Sequence, residues 1–561
     1  MQLKNVILKV LMSKRVFIIL LLMWIVNIVF SCLILPPGDD ESFFFGTAMG
    51  FLYEHQFGRF FINDKFTPEF QDYLAFPFIQ SGFLYLTSLI NIPINLFTYK
   101  IFHLITILLL IFLTLYFIKL IHIANIKNAL LNSSLFMVFL GISPFAQRFG
   151  HYRPEIIGIL FVMIGLILYR IWHISKKQPN LIFYCSALSL GISMAIHPNF
   201  TIFGAFLTLV IVVNQIKKGI KLHLIFFIII EAIPLLIMLA YYLMNPESAN
   251  AFVTHLFTVT NVNEGKLIRF GQFEDLIKNA FMLYGWESIK IKIAYLVFYL
   301  PFLLIIMASI VILLKKSKEM IRQDSFNIII ISLFVGTILI MLVSFRIFSY
   351  FVVYSYFVIL FFTIAITYNR TFSFNTGNRN NVISTIVLSG LIIIVLASTL
   401  IHTVKFIFSS QQYYFAPKTH KIVINELKQG DTLFVFGGSQ VPVFNDLIDD
   451  KYRGNNMRNI YIIDPSGVNN DHLRKARLSL LKKIKTLVHE KSVWGVRKRH
   501  ATFDRTNMEI SLSEIGSIFL NFKVKRIVYE DNDHIYIRPD SISETGDIEI
   551  NQPLQAPETN S

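Results

Sequence analysis

The feature that most constrains this chain is a recurrence of apolar runs about 20 residues long, each able to cross the ~30 Å hydrocarbon core of a bilayer as a helix. The first spans 15–35. Others follow at 101–119, 129–147, 154–172, 181–197, 200–216, 222–244, 291–314, 326–344, 348–368 and 382–402. The fold class they give is an α-helical polytopic membrane protein. Composition agrees: 15% of the 561 residues are charged, where a soluble chain carries about a quarter. The first run is not followed by a small-residue cleavage site, so it reads as a retained signal anchor. Cys32 and Cys185 both fall inside apolar runs, which gives no disulfide framework and no zinc site.

Sidedness follows from the basic residues. Lys4, Lys9, Lys14 and Arg15 place the N-terminus in the cytoplasm. The segment 76–97 is long enough to span but is interrupted by Pro77, Gln80, Ser81, Asn91, Pro93 and Asn95. If it lies at the surface or re-enters, five basic clusters share the cytoplasmic side: Lys119/Lys127, Arg170/Lys176/Lys177, Lys217/Lys218/Lys221, Lys315/Lys316/Lys318/Arg322 and Arg370/Arg379. If it spans, they all flip outward. The charge rule therefore favours about eleven spans. The net charge of +16 is then basic loops plus a basic C-terminal region, compatible with anionic lipid. Charge spread between spans argues against nucleic acid as a partner.

This topology collects the unusual polar groups on the outer side, in a plasma (inner) membrane reading. Asp39, Asp40 and Glu41 follow the first helix; adjacent carboxylates push each other's pKa apart, which poises one as a general base. The plainer reading is a solvated acidic helix start. Arg153-Pro154-Glu155 offers a second acid beside a phosphate-binding arginine, or the polar lip of a span. His197-Pro198-Asn199 joins two spans so tightly that the histidine sits at the membrane surface, as a ligand, a donor or a simple cap. Arg269 and Arg346, the latter with Tyr350, are arginines against the charge bias; guanidinium matches phosphate bidentately, though a snorkelling side chain also fits. The opposite side reads as plain basic loop.

The domain boundaries expected are 1–402 for the transmembrane part, with a first outer loop at 36–100 carrying surface helices, then an exoplasmic α/β domain at 403–540 and a disordered polar tail at 541–561. Within the α/β domain, Thr432 to Phe436 with its Gly437-Gly438 turn and Asn459 to Asp464 read as strands, Asp471 to Glu490 as a helix, and Arg526 to Tyr529 with His534 to Ile537 as a hairpin. The Gly437-Gly438 turn lacks the rest of a nucleotide-binding fingerprint.

Taken together, these residues resemble the GT-C superfamily of integral-membrane glycosyltransferases, in particular the branch with protein O-mannosyltransferases and the lipid A aminoarabinose transferase. The resemblance rests on Asp40-Glu41 after the first helix, the stretch Ala48 to Gly58, Pro77 in a surface-lying segment, Tyr99-Lys100 before a span, Arg153-Pro154-Glu155, and Arg346 with Tyr350. It departs in the extra Asp39 and in Lys100, where that family often has Arg. It implies an inverting transfer of a sugar from a polyprenyl-phosphate donor to a lipid, glycan or protein acceptor at the outer face. Asp40 would be the base, with Asp39 as alternative. Glu155 and His197 would support the acceptor or a divalent cation (Mg or Mn). Arg153, Arg269 or Arg346 would hold the lipid phosphate. Two rival classes are a lipid-linked saccharide transporter or flippase, for which Glu231 is the mid-span acid, and a surface polysaccharide polymerase or ligase.

Overall fold

The structure, a computed structural model, describes residues 11–34, 48, 52, 75–92, 96–123, 125–141, 143, 145, 153–175, 179–216, 221–244, 300–343, 348–366, 426, 432–436, 460–463, 492–497, 501–515, 518–530 and 534–545. They fall into two compact units, one holding the helices and the other the strands.

In the first unit the described helices are α1 (Lys14–Ile34), α2 (Ala75–Leu89), α3 (Leu96–Ile121), α4 (Ile126–Leu140), α5 (Pro154–Ser175), α6 (Leu181–Met194), α7 (Pro198–Ile216), α8 (Lys221–Met244), α9 (Leu300–Gln323), α10 (Asn327–Val343) and α11 (Phe348–Ile366). Each expected span carries a described helix except 382–402, which lies outside the described residues. Among the described residues, 5 helices are long and apolar enough to cross a membrane, and shorter apolar helices accompany them.

The segment left open between spanning and surface-lying forms α2. With 15 residues it is about 22 Å long at 1.5 Å per residue, too short for a ~30 Å core. Gln80 donates to the Tyr99 hydroxyl at 3.0 Å, and Phe83 stacks on Phe102 at 4.6 Å. Its buried face is Phe76, Pro77, Gln80, Ser81, Leu84 and Thr87, while Phe78, Tyr85, Leu86 and Leu89 stand exposed. An exposed apolar face of this kind suits contact with lipid. It ends at Asn91, whose φ of 58° is the left-handed conformation asparagine tolerates after a helix.

Two expected boundaries are corrected. The run 129–147 forms a helix that stops at Gly141, three residues before Pro144, whose ring and missing N–H oppose continuation. The run 291–314 yields a helix continuing to Gln323, so Lys315, Lys316, Lys318 and Arg322 lie on the last turns of α9 and not in a loop. Lys316 pairs with Glu319 at 2.9 Å, and cations are favoured at a helix C-terminus.

Small residues set the closest packing. A Cβ on Gly191 would stand 2.0 Å from the Glu231 carbonyl oxygen, so α6 and α8 meet backbone to backbone. Gly165 likewise lets α5 approach the Ser186 carbonyl of α6. Among the basic residues read as plain loop charge, the expectation fails for Arg170. That side chain is buried on α5, paired with Asp324 at 2.7 Å and lying over the Phe326 ring at 4.8 Å. One turn on, His173 reaches Ser325 at 3.2 Å. Burying a guanidinium requires such a partner. The same Asp324 accepts from the Phe326 N–H at 2.9 Å, so one carboxylate starts α10 and ties it to α5.

The described strands of the second unit form a 7-stranded sheet in the order β2-β1-β3-β7-β6-β5-β4. Its strands are β1 (Thr432–Phe436), β2 (Ile460–Ile463), β3 (Ser492–Arg497), β4 (Ala501–Asp504), β5 (Glu509–Ile515), β6 (Ile518–Glu530) and β7 (His534–Thr545). β1 runs parallel to β2 and β3; the remaining neighbours are antiparallel. Trp494, Val496, Ile510, Phe522, Tyr536 and Ile537 are buried. The expected hairpin is present and longer, with strands of 13 and 12 residues. β7 carries into the stretch read as disordered tail, because Ile542 pairs opposite Phe522 and continues the ladder. The helix expected over 471–490 lies outside the described residues.

Candidate functional site

Among the described helices, two begin with proline. Pro154 opens α5 and Pro198 opens α7, where the fixed φ and absent N–H suit the first helical position. This sets Arg153 and His197 immediately before the two helices and Glu155 inside the first turn of α5. The connection from α6 to α7 is three residues, Ala195 to His197. Because α6 returns the chain between them, both helix starts lie at one end of the unit, and each presents the positive end of its dipole there.

Glu155 is wholly buried, and its two oxygens are used differently. Oε2 accepts from Arg153 Nε at 3.3 Å. Among the described residues Oε1 has no hydrogen-bond partner; His197 Nε2 lies 3.9 Å from it, beyond bonding distance. The His197 ring is fixed from its other side, where Nδ1 accepts the Asn199 backbone N–H at 3.3 Å. Burial pushes the imidazole down to about 4, a shift Glu155 opposes and Arg153 reinforces, so His197 is neutral at physiological pH. The spacing between the helices is held one turn inside by Gly158, over which the Phe200 ring lies too close for any side chain. Phe200 rests on Tyr354 of α11 at 5.3 Å, and Ser355 accepts the Phe145 N–H at 3.2 Å.

Of the expected site residues the structure brings Arg153, Glu155 and His197 together. Tyr350 falls in the first turn of α11, a turn before Tyr354. Asp39, Asp40, Glu41, Arg269 and Arg346 lie outside the described residues. Sequence reasoning missed Tyr354 and Phe200, aromatics in aromatic-rich spans with no local signal; Asn199, named within the tight link, acts through its backbone. Among the described residues no group of three or more His, Cys, Asp or Glu could hold a metal ion. Chemically, the described cluster offers one anchored carboxylate with an open oxygen, one neutral imidazole and one guanidinium, suited to orienting polar groups.

No family model matches the chain, and no curated protein matches it. Among solved structures it is similar to the apo crystal structure of the Archaeoglobus fulgidus oligosaccharyltransferase. The match has 11% identity, covers 86% of this chain and 70% of that one, and has a TM-score of 0.48, a likeness too loose to carry function.

Proposed function

We propose that the chain is a membrane glycosyltransferase that moves a sugar from a polyprenyl-phosphate donor to an acceptor at the outer face, with inversion. The observation that carries it is the Arg153–Glu155–His197 cluster. A buried carboxylate, a guanidinium and an imidazole meet at two helix starts, at the end where the charge pattern places the outer surface. Buried ionisable groups at a membrane helix end are costly and mark chemistry.

In this reading Asp40 takes the proton of the acceptor hydroxyl or amine, with Asp39 as the alternative and Glu41 beside them. The acceptor atom bonds to the anomeric carbon as the carbon–oxygen bond to phosphate breaks, and the electron pair leaves on the phosphate. Phosphate is already a good leaving group, so charge stabilisation by Arg153, Arg269 and Arg346, with Tyr350, suffices in place of a strong acid. Glu155 and His197 orient the reacting sugar or acceptor. A divalent cation, if this chemistry uses one, falls to the acidic turn.

The transporter reading draws on Glu231, but that carboxylate is buried on α8 and accepts a hydrogen bond from Thr208 of α7. The test is incubation of membranes holding the full chain with radiolabelled polyprenyl-phosphate sugars. Label transfer that Glu155→Gln abolishes supports the proposal. An absence of transfer from every donor offered sinks it.

A further inference from the structure

One face of α9 changes character along its length. Leu304, Met307, Val311 and Leu314 are exposed and recur three and four residues apart, the spacing of a single helix face. The next members of that stripe are Lys315, Lys318 and Arg322, also exposed. The opposite face, with Phe302, Ser309 and Met320, is buried. Apolar side chains facing outward at one level of a helix and cations at the next mark where it leaves hydrocarbon for headgroups. Lys315 and Arg322 lie about 10 Å apart along the axis at 1.5 Å per residue, enough to cross a headgroup layer roughly 5–8 Å deep.

The stripe stands far from the candidate site. Asp324, directly after α9, pairs with Arg170, which lies about 24 Å along α5 from Pro154. The cationic end of α9 is thus at the opposite end of the helical unit from Arg153, Glu155 and His197, on the side the charge pattern assigns to the cytoplasm. Among the described residues these cations are not spent within the protein. The carboxylates nearest in the chain, Glu319 and Asp324, are held by Lys316 and Arg170. α10 and α11, which pack on α9, contain no charged residue. The helix dipole accounts for Arg322 in the last turn, but its pull falls off before Lys315 and Lys318.

We propose that Lys315, Lys318 and Arg322 bind the phosphate of an anionic bilayer phospholipid, in the leaflet opposite the candidate site. Charge complementarity selects the headgroup. Continuity with the exposed apolar stripe selects a lipid, whose acyl chains lie along Leu304 to Leu314 while its phosphate sits among the cations. Arg322 grips phosphate oxygens through paired N–H groups, and the lysines supply point charge. A soluble anion uses the cations and leaves the apolar stripe idle. The proposal does not depend on the transferase reading.

The test is native mass spectrometry of the full chain released from nanodiscs of mixed phosphatidylglycerol and phosphatidylcholine, counting retained lipids. A cation near an anionic surface contributes roughly fivefold in affinity, so the wild type should retain phosphatidylglycerol over phosphatidylcholine by roughly tenfold or more. Lys315→Gln/Lys318→Gln/Arg322→Gln should abolish that preference, Lys318→Gln alone should weaken it, and Lys315→Arg/Lys318→Arg should keep it. Lys14→Gln/Lys119→Gln/Lys127→Gln removes equal charge from exposed positions on α1, α3 and α4 and should leave it unchanged. Equal retention of both lipids by the wild type, or an equal loss in the two triple variants, overturns the proposal. A stronger preference for added polyprenyl phosphate, abolished by the stripe variant, overturns the choice of phospholipid as occupant.

Discussion

Replacing Gly158 by alanine should disable the site without touching any of its polar groups. The added Cβ would lie 2.4, 2.7 and 2.8 Å from three carbons of the Phe200 ring. Ordinary carbon–carbon contact begins near 3.5 Å, so the ring must retreat by roughly 1 Å. It has nowhere to go, being fully buried with Tyr354 at 5.3 Å and Phe203 at 6.3 Å, so α7 moves away from α5 instead. Gly158 and Phe200 each lie three residues beyond Glu155 and His197, so the displacement acts one turn inside the 3.9 Å gap. Overpacking of this kind costs about 1–3 kcal/mol, and a misplacement of ~1 Å at a reacting group costs roughly 100-fold in rate. The assay pairs thermal unfolding of the full chain in nanodiscs with label transfer from a polyprenyl-phosphate donor. Gly158→Ala should lose roughly 100-fold in transfer with a modest fall in Tm, and the double variant Gly158→Ala/Phe200→Leu should recover most of it. A single variant with wild-type transfer and wild-type Tm would refute the reasoning, because α5–α7 spacing would then not govern the site.

Asp324→Asn strands the buried Arg170 and should cost about 3 kcal/mol, at the low end for a broken buried pair because Asp324 is partly exposed; denaturant unfolding measures it, and exchange of Arg170 and Asp324 should restore part. Two buried histidines set an acid limit. Burial, with Arg170 adding to it at His122, lowers His122 and His197 to about 4, below their ordinary 6.5. The unfolded chain therefore binds protons that the folded chain refuses. Stability is full above about pH 6.5 and falls as pH drops towards 4, by up to about 3 kcal/mol per histidine, read by unfolding at pH 7.5 and 5. A Tm independent of pH across that window would contradict the burial of both rings. Gly495→Ala puts a Cβ 2.4 Å from the buried Tyr536 ring and should loosen the β3–β7 pairing, seen as faster hydrogen exchange of the amides in those two strands in the full chain.

How much of this was legible in the sequence depends on whether a local signal existed. Helices α3 to α8 follow from apolar runs, and the starts of α5 and α7 from Pro154 and Pro198, since a proline at the first position marks a helix from one residue alone. The pairing of Glu155 with His197, forty-two residues apart, followed only because a charge argument put both helix starts on one side. Arg170 shows the limit: adjacent lysines made it look like loop charge, and its partner Asp324 arrives from a turn far along the chain. The close approach at Gly191 was equally invisible, because a glycine in an apolar helix does not announce which backbone it admits. In the second unit β1 and β2 stood out as apolar runs. β3, broken by Gly495, and β5, alternating with polar residues, were passed over, although the alternation of Glu509 to Ile515 was itself a strand signal.

The central claim is tested most directly in proteoliposomes carrying the full chain and a radiolabelled polyprenyl-phosphate sugar. The account predicts transfer of label to an acceptor by the wild type, loss of transfer in Glu155→Gln and in Asp40→Asn, and no net movement of the free saccharide across the bilayer. Saccharide that crosses the vesicle membrane while no label is transferred from any donor would contradict it.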